Sequence, residues 1–197
     1  MPGRVRDFGK YGARGLKSSE AVAIQLDILA AGIASPVDSE RGLAARLRYL
    51  TGSAGGYEAM ERAGISVSTR TLFGWLAETQ TPNRANLEKI DNAYWDYRRR
   101  NVAKDLLKRL NAGGGTRVEL SPIDQSAVPS VNRQGQPPGR RRDIGHRSLN
   151  VRRWDEIVAC WAEDDMDGLE DEWCDWLMDL GTDWGEYHYV STVGFSA

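Results

Sequence analysis

The sequence predicts a mainly α protein with a small α+β part: an N-terminal helix-turn-helix bundle followed by a strand-strand-helix-helix-strand domain. Three observations carry this. Apolar residues recur at helical intervals over residues 20–111. A Gly/Pro/Arg-rich stretch over 112–145 then breaks the pattern. Beyond it, the composition turns acidic and rich in tryptophan, with Trp154, Trp161, Trp173, Trp176 and Trp184 all in the last 44 residues.

Charge follows the same division. Residues 1–111 carry 18 Lys and Arg against 12 Asp and Glu, and residues 112–153 carry 8 against 3. Residues 154–197 carry none against 13, so the net charge of −2 conceals two opposed regions. Such asymmetry points to nucleic-acid contact at the basic end and a separate task at the acidic end. A hydrophobic fraction of 41% permits packed cores. Cys160 and Cys174 match no metal-binding spacing and read as reduced thiols. No apolar run approaches the ~20 residues needed to span a bilayer, which predicts a soluble, cytoplasmic, nucleoid-associated protein.

Residues 1–19, with Gly3, Arg4, Arg6, Lys10, Arg14 and Lys17, lack apolar periodicity and read as a mobile basic arm. The helical DNA-binding domain is expected over 20–111. Its first helix follows Ser18 and Ser19 and ends at Ala31-Gly32. Ser39 can cap a second helix carrying Leu43, Leu47 and Leu50. A turn from Gly52 to Gly56 leads to a third helix over Tyr57–Ala63, closed by Gly64. Ser66 or Ser68 can cap the next, Thr69–Glu78. After Pro82 a long helix presents Leu87, Ile90, Tyr94 and Trp95 on one face. The linker, 112–145, contains a short alternating strand at Thr116–Leu120. In the acidic domain, 146–197, Ser148–Val151 reads as a strand and Trp154, Ile157, Val158 and Trp161 line one helix. Leu169, Trp173, Trp176, Leu177 and Leu180 line another, and Tyr187–Phe195 closes the domain as a strand.

The segment from Ala59 to Ser66, followed by Arg70 to Leu76, has the grammar of a helix-turn-helix. Leu72, Trp75 and Leu76 would bury the inner side of the second helix. Ser68, Thr69, Arg70, Phe73 and Gly74 would lie toward the DNA groove, with Arg70 as base reader because a guanidinium can make two bonds to guanine. The turn is about two residues longer than in the commonest form. Arg84 and the basic run Arg98, Arg99, Arg100 and Lys104 would neutralise phosphates.

The order Ala44-Ala45-Arg46-Leu47-Arg48-Tyr49-Leu50, then Gly64-Ile65-Ser66, Arg70-Thr71-Leu72 and a basic helix through Arg100 resembles the Tpg family. These are the terminal proteins that cap telomeres of actinobacterial linear chromosomes and plasmids. The similarity in element order runs on to residue 195. The longer turn and the tryptophan-rich acidic end depart from the family pattern. The resemblance implies covalent linkage to the 5′ end of DNA, with a side-chain hydroxyl priming a polymerase that supplies the metal ions. In the family the role falls to a threonine of the central loop region, and no threonine of this sequence matches its position; the hydroxyls available lie near the linker. Thr116, Ser121, Ser126 and Ser130 are available there, with Ser130 and Ser126 preferred and Thr116 a third candidate.

The tryptophans of the acidic domain are most simply its core. Its carboxylates lack the ligand periodicity of a calcium loop, and His146 and His188 are paired with no catalytic group. The sequence therefore calls for no enzyme activity, no metal and no cofactor. Its expected partners are double-stranded or telomeric DNA and, through the acidic domain, replication proteins or another basic protein; a homodimer is a further arrangement, and no membrane is involved. The alternative function is a noncovalent helix-turn-helix regulator of transcription, partition or replication. If the acidic domain folds back on the DNA-binding face, removing 146–197 should tighten DNA binding.

Overall fold

Three serines set the local structure of the first half. In the computed structural model, which describes residues 10–122, 147–180 and 187–196, Ser39, Ser53 and Ser68 each precede a helix. The hydroxyl oxygen of each accepts a backbone N–H of the first turn, from Gly42 at 3.1 Å, Gly56 at 3.3 Å and Thr71 at 3.1 Å. The elements are β1 (Lys10–Lys17), α1 (Ser18–Leu29), α2 (Glu40–Thr51), α3 (Ala54–Arg62), α4 (Thr69–Leu76) and α5 (Arg84–Leu110). A short 3-10 turn (Ala112–Gly114), β2 (Thr116–Pro122), β3 (Arg147–Val151), α6 (Asp155–Glu163), α7 (Met166–Met178) and β4 (Tyr189–Ser196) follow. The fold is thus mainly α with a small α+β part, as the sequence predicts.

The third helix starts three residues earlier than expected. Ser53 caps it, so Gly55 and Gly56 belong to its first turn rather than to the loop. Glycine is required at 56, because a Cβ there would lie 1.9 Å from the Leu50 carbonyl oxygen.

The chain divides into two compact units: Ala30–Val102, and Met1–Leu29 together with Ala103–Ala197. The first, the helical unit, centres on Leu47, Leu50, Ala59, Met60, Trp75, Ile90, Ala93 and Tyr94. Arg46 is buried at its margin. Its guanidinium donates to Asp91 at 2.6 Å and to the Ser35 carbonyl at 2.8 Å, and lies over the Tyr94 ring.

The second, the α+β unit, is built differently from the expectation in two respects. Residues 10–17 are a strand, not part of a mobile arm. β1 pairs antiparallel with β4, from Lys10 opposite Gly194 to Lys17 opposite Tyr189. Gly12 and Gly15 obscure the alternation that would have announced it, and the register shifts between Gly12 and Leu16. Residues 1–9 lie outside the described residues. Moreover, α1 belongs with the acidic domain and not with the helix-turn-helix. Ala21, Val22 and Leu26 are buried, while Asp27 and Ser18 accept the indole N–H groups of Trp161 at 3.0 Å and Trp173 at 2.9 Å. A buried indole usually finds an acceptor, and α1 supplies one each to Trp161 and Trp173, while the Trp154 N–H has none among the described residues.

The described strands form a four-stranded antiparallel sheet in the order β1-β4-β2-β3. Val118 sits opposite both Leu149 and Phe195, placing three buried side chains across the sheet. Trp154, Trp161 and Trp173 fill the core with Leu169, Leu177, Tyr187 and Phe195. Trp176 is half-buried, and Trp184 lies outside the described residues. The expected strand-strand-helix-helix-strand order is present as β2, β3, α6, α7 and β4, but β2 already begins inside the predicted linker. Burial, then neighbouring carboxylates, pushes both the Cys160 and Cys174 thiols up from their ordinary value. No helix among the described residues is long and apolar enough to cross a membrane.

Candidate nucleic-acid interface

The helix-turn-helix is assembled from two helix ends. α3 closes in a Schellman arrangement: Gly64, at φ 73°, donates to the Glu61 carbonyl at 2.9 Å, and Ile65 donates to that of Met60 at 3.0 Å. The Lys89 ammonium donates to the Gly64 carbonyl at 2.8 Å and holds the turn against α5. That role is missed by sequence reading, because the pair is 25 positions apart. Ile65 and Val67 pack against the helical core, while Ser66 and Ser68 face solvent.

α4 has two unlike sides. Trp75 is buried, and Leu72 and Leu76 pack beside it. On the other side Thr69, Arg70 and Phe73 are exposed, Phe73 at 64%. Arg70 has no hydrogen-bond or ion-pair partner among the described residues. Gly74, expected toward the groove, is instead buried. Thr79 and Gln80 fold back so that both donate to its carbonyl, and a Cβ would meet the Gln80 side chain at 2.9 Å. Ser68 is exposed, but its oxygen is engaged in capping and in a 2.9 Å hydrogen bond with the Thr71 hydroxyl.

The predicted phosphate contacts divide. Arg84 is extended into solvent with its side chain 93% exposed, beside Glu88 at 3.2 Å, a pair that restrains it little. Arg98 instead donates to the Ala30 carbonyl at 2.7 Å and ties down the chain entering the unit. Arg99 lies over the Trp95 ring, 6.0 Å from its centroid. Arg100 donates to Asp96 at 2.7 Å, and Arg62 reaches the other oxygen of the same carboxylate at 2.7 Å. Burial opposes ionisation of Asp96. The hydrogen bonds and charges of Arg100 and Arg62 outweigh it and hold the carboxyl below its usual range. Lys104 is exposed but falls in the α+β unit. The structure therefore brings Ser68, Thr69, Arg70 and Phe73 together and assigns Arg98–Arg100 to internal contacts.

Thr116 cannot serve as a reactive hydroxyl in this fold. It is buried, and its Oγ1 donates to the Leu110 carbonyl at 2.7 Å. Ser126 and Ser130 lie outside the described residues. Among the described residues, no group of three or more His, Cys, Asp or Glu side chains is placed to hold a metal ion.

The charge division of the sequence is not that of the units. The helical unit holds 10 Lys and Arg against 8 Asp and Glu, and the α+β unit 16 against 20. Lys17, counted with the basic end, in fact binds Glu170 at 2.6 Å within the acidic unit. Comparison with known protein families, curated proteins and solved structures finds no match for the chain.

Proposed function

We propose that the helical unit binds duplex DNA by inserting α4 into the major groove, with Arg70 as its principal base contact. The observation that carries this is the division of α4. Trp75, Leu72 and Leu76 anchor one side, while the other offers the exposed Arg70 guanidinium, without a partner among the described residues and flanked by Thr69 and Phe73. The helix is thereby held by packing and retains a face available to a groove. Arg84 supplies a phosphate contact. The test is a titration of the full chain against labelled duplexes at low and physiological salt. Arg70→Ala should lower affinity for a selected duplex about tenfold, as loss of a base-reading guanidinium implies. Equal binding by the variant and the wild type would remove α4 as the reading element.

The finer role implied by the likeness to Tpg proteins is a covalent primer and cap at the 5′ ends of a linear replicon, with protein recruitment through the acidic domain. In it a serine oxygen attacks the α-phosphate of a nucleoside triphosphate, releasing pyrophosphate and a proton, and the resulting 5′-linked nucleotide is extended. Ser126 and Ser130 are the candidates. The sequestered Thr116 hydroxyl gives weight to the second reading, a noncovalent regulator. Peptide mass mapping of the protein from its native host, after exhaustive nuclease digestion, separates the two. A nucleotide adduct on either serine supports the primer, and unmodified peptides across the region, from a preparation rich in replicon ends, favour the regulator.

A further inference from the structure

Phe73 is the most exposed of the large apolar side chains on the helical unit. It has no evident task in folding, since Trp75, Leu72 and Leu76 already supply the core contacts of α4. It stands three residues after Arg70, hence on the same side of the helix and about 4.5 Å further along the axis. Within a major groove only one base edge presents a carbon substituent to an apolar probe, the 5-methyl group of thymine. Against guanine or adenine the ring would cover an acceptor nitrogen, and against cytosine an amino donor, and leave each unpaired.

Resting on the reading of α4 as the groove helix, we propose that Phe73 is a specificity-determining residue that reads a thymine methyl group. The thymine lies one or two base steps from the guanine contacted by Arg70, because bases on a strand are spaced about 3.4 Å apart. The preferred site therefore contains a guanine and a thymine in fixed relation, and the protein distinguishes thymine from uracil at that position.

The test begins with selection of duplexes from a randomised library by the full chain. Each thymine of a selected site is then replaced singly by uracil, which removes the methyl group and changes no hydrogen bond. One such replacement near the essential guanine should weaken wild-type binding about fourfold, the transfer free energy of a single methyl group. Phe73→Ala should bind the thymine and uracil duplexes alike, Phe73→Leu should retain part of the preference, and Arg70→Ala should lose the guanine preference instead. The two Phe73 variants should melt as the wild type does, because the side chain is exposed. Selected sites at which every uracil replacement is neutral would overturn the assignment while leaving DNA binding intact. So would a Phe73→Ala protein that keeps its base preference but changes from dimer to monomer in sedimentation. Failure to select any duplex would instead defeat the reading of α4 on which the inference rests.

Discussion

Glu78 illustrates how much a single residue can carry without touching a ligand. It occupies the left-handed region at φ 58°, just past the end of α4, where its N–H reaches the Trp75 carbonyl and that of Thr79 reaches Gly74. Glycine is the usual occupant, since a Cβ there costs ~1 kcal/mol. Glu78→Gly should stabilise the helical unit by about 1 kcal/mol, measured as a higher denaturant midpoint; a lower midpoint would show that the strain is not relieved. Arg46 is the opposite case, a cation buried within the helical unit. Its burial and its bonds to Asp91, Ser35 and Gly42 make it structural. Arg46→Ala should cost about 3 kcal/mol, because several acceptors lose their partner at once. Among molecules still folded, DNA affinity should be unchanged.

At the scale of elements, the helix-turn-helix depends on how its helices begin. Ser68→Ala should cost ~1 kcal/mol and fray the first turn of α4, where Thr69 and Arg70 reside. Its signature is a stability loss accompanied by weaker DNA binding. Gly56→Ala drives a Cβ into the Leu50 carbonyl, and the α2–α3 junction must open to admit it. We expect a loss of about 3 kcal/mol by denaturant unfolding; a change under ~1 kcal/mol would mean that the junction yields cheaply. Ser39, Ser68 and closing Gly64 were legible in advance because they act within three or four residues, whereas the cap at Ser53 was hidden in a run of glycines that reads as a turn. The fate of Arg98 was not, since its partner Ala30 lies 68 positions away, whereas Arg99 and Arg100 turn to Trp95 and Asp96 four positions back along α5.

For the whole molecule, the discontinuous α+β unit changes what a truncation means. Removing 146–197 takes away β3 and the β4 strand that joins β1 to β2, so it should unfold that unit. A fragment spanning 30–102 keeps the helical core entire. It should fold cooperatively by circular dichroism and bind duplex DNA. A disordered fragment would show that the unit needs the rest of the chain. The units also differ in their response to acid. Burial first, helped by the Lys17 charge, pushes the His188 imidazole below its ordinary value, against the pull of Glu170 and Glu20. Folding thus favours the neutral ring. That contribution is complete above pH ~6.5 and is lost as pH falls through the lower folded value. Asp96 is held below the carboxylate range, so its contribution is complete above pH ~4 and disappears only under stronger acid. Fluorescence of the buried tryptophans should therefore report a declining melting temperature from pH 6.5 downward, and His188→Gln should flatten that decline.

Local chemistry is what the sequence determined by itself. The capped helices α2 to α5, the break after them, the alternating β2 and β4 and the tryptophan faces of α6 and α7 all follow from patterns a few residues long. The outward side of α4 was also readable except at Gly74, because three inner positions at helical spacing define the other side. Only the tertiary structure decided ownership. It moved β1 and α1 into the acidic unit, because β4 had an edge to pair and two buried indoles take their acceptors from α1. It buried Thr116 under its bond to Leu110 and drew Arg98, which composition offered to DNA, onto the Ala30 carbonyl. Periodicity and capping act along the chain, whereas strand pairing and the satisfaction of buried polar groups act across it, between residues whose separation in sequence carries no signal.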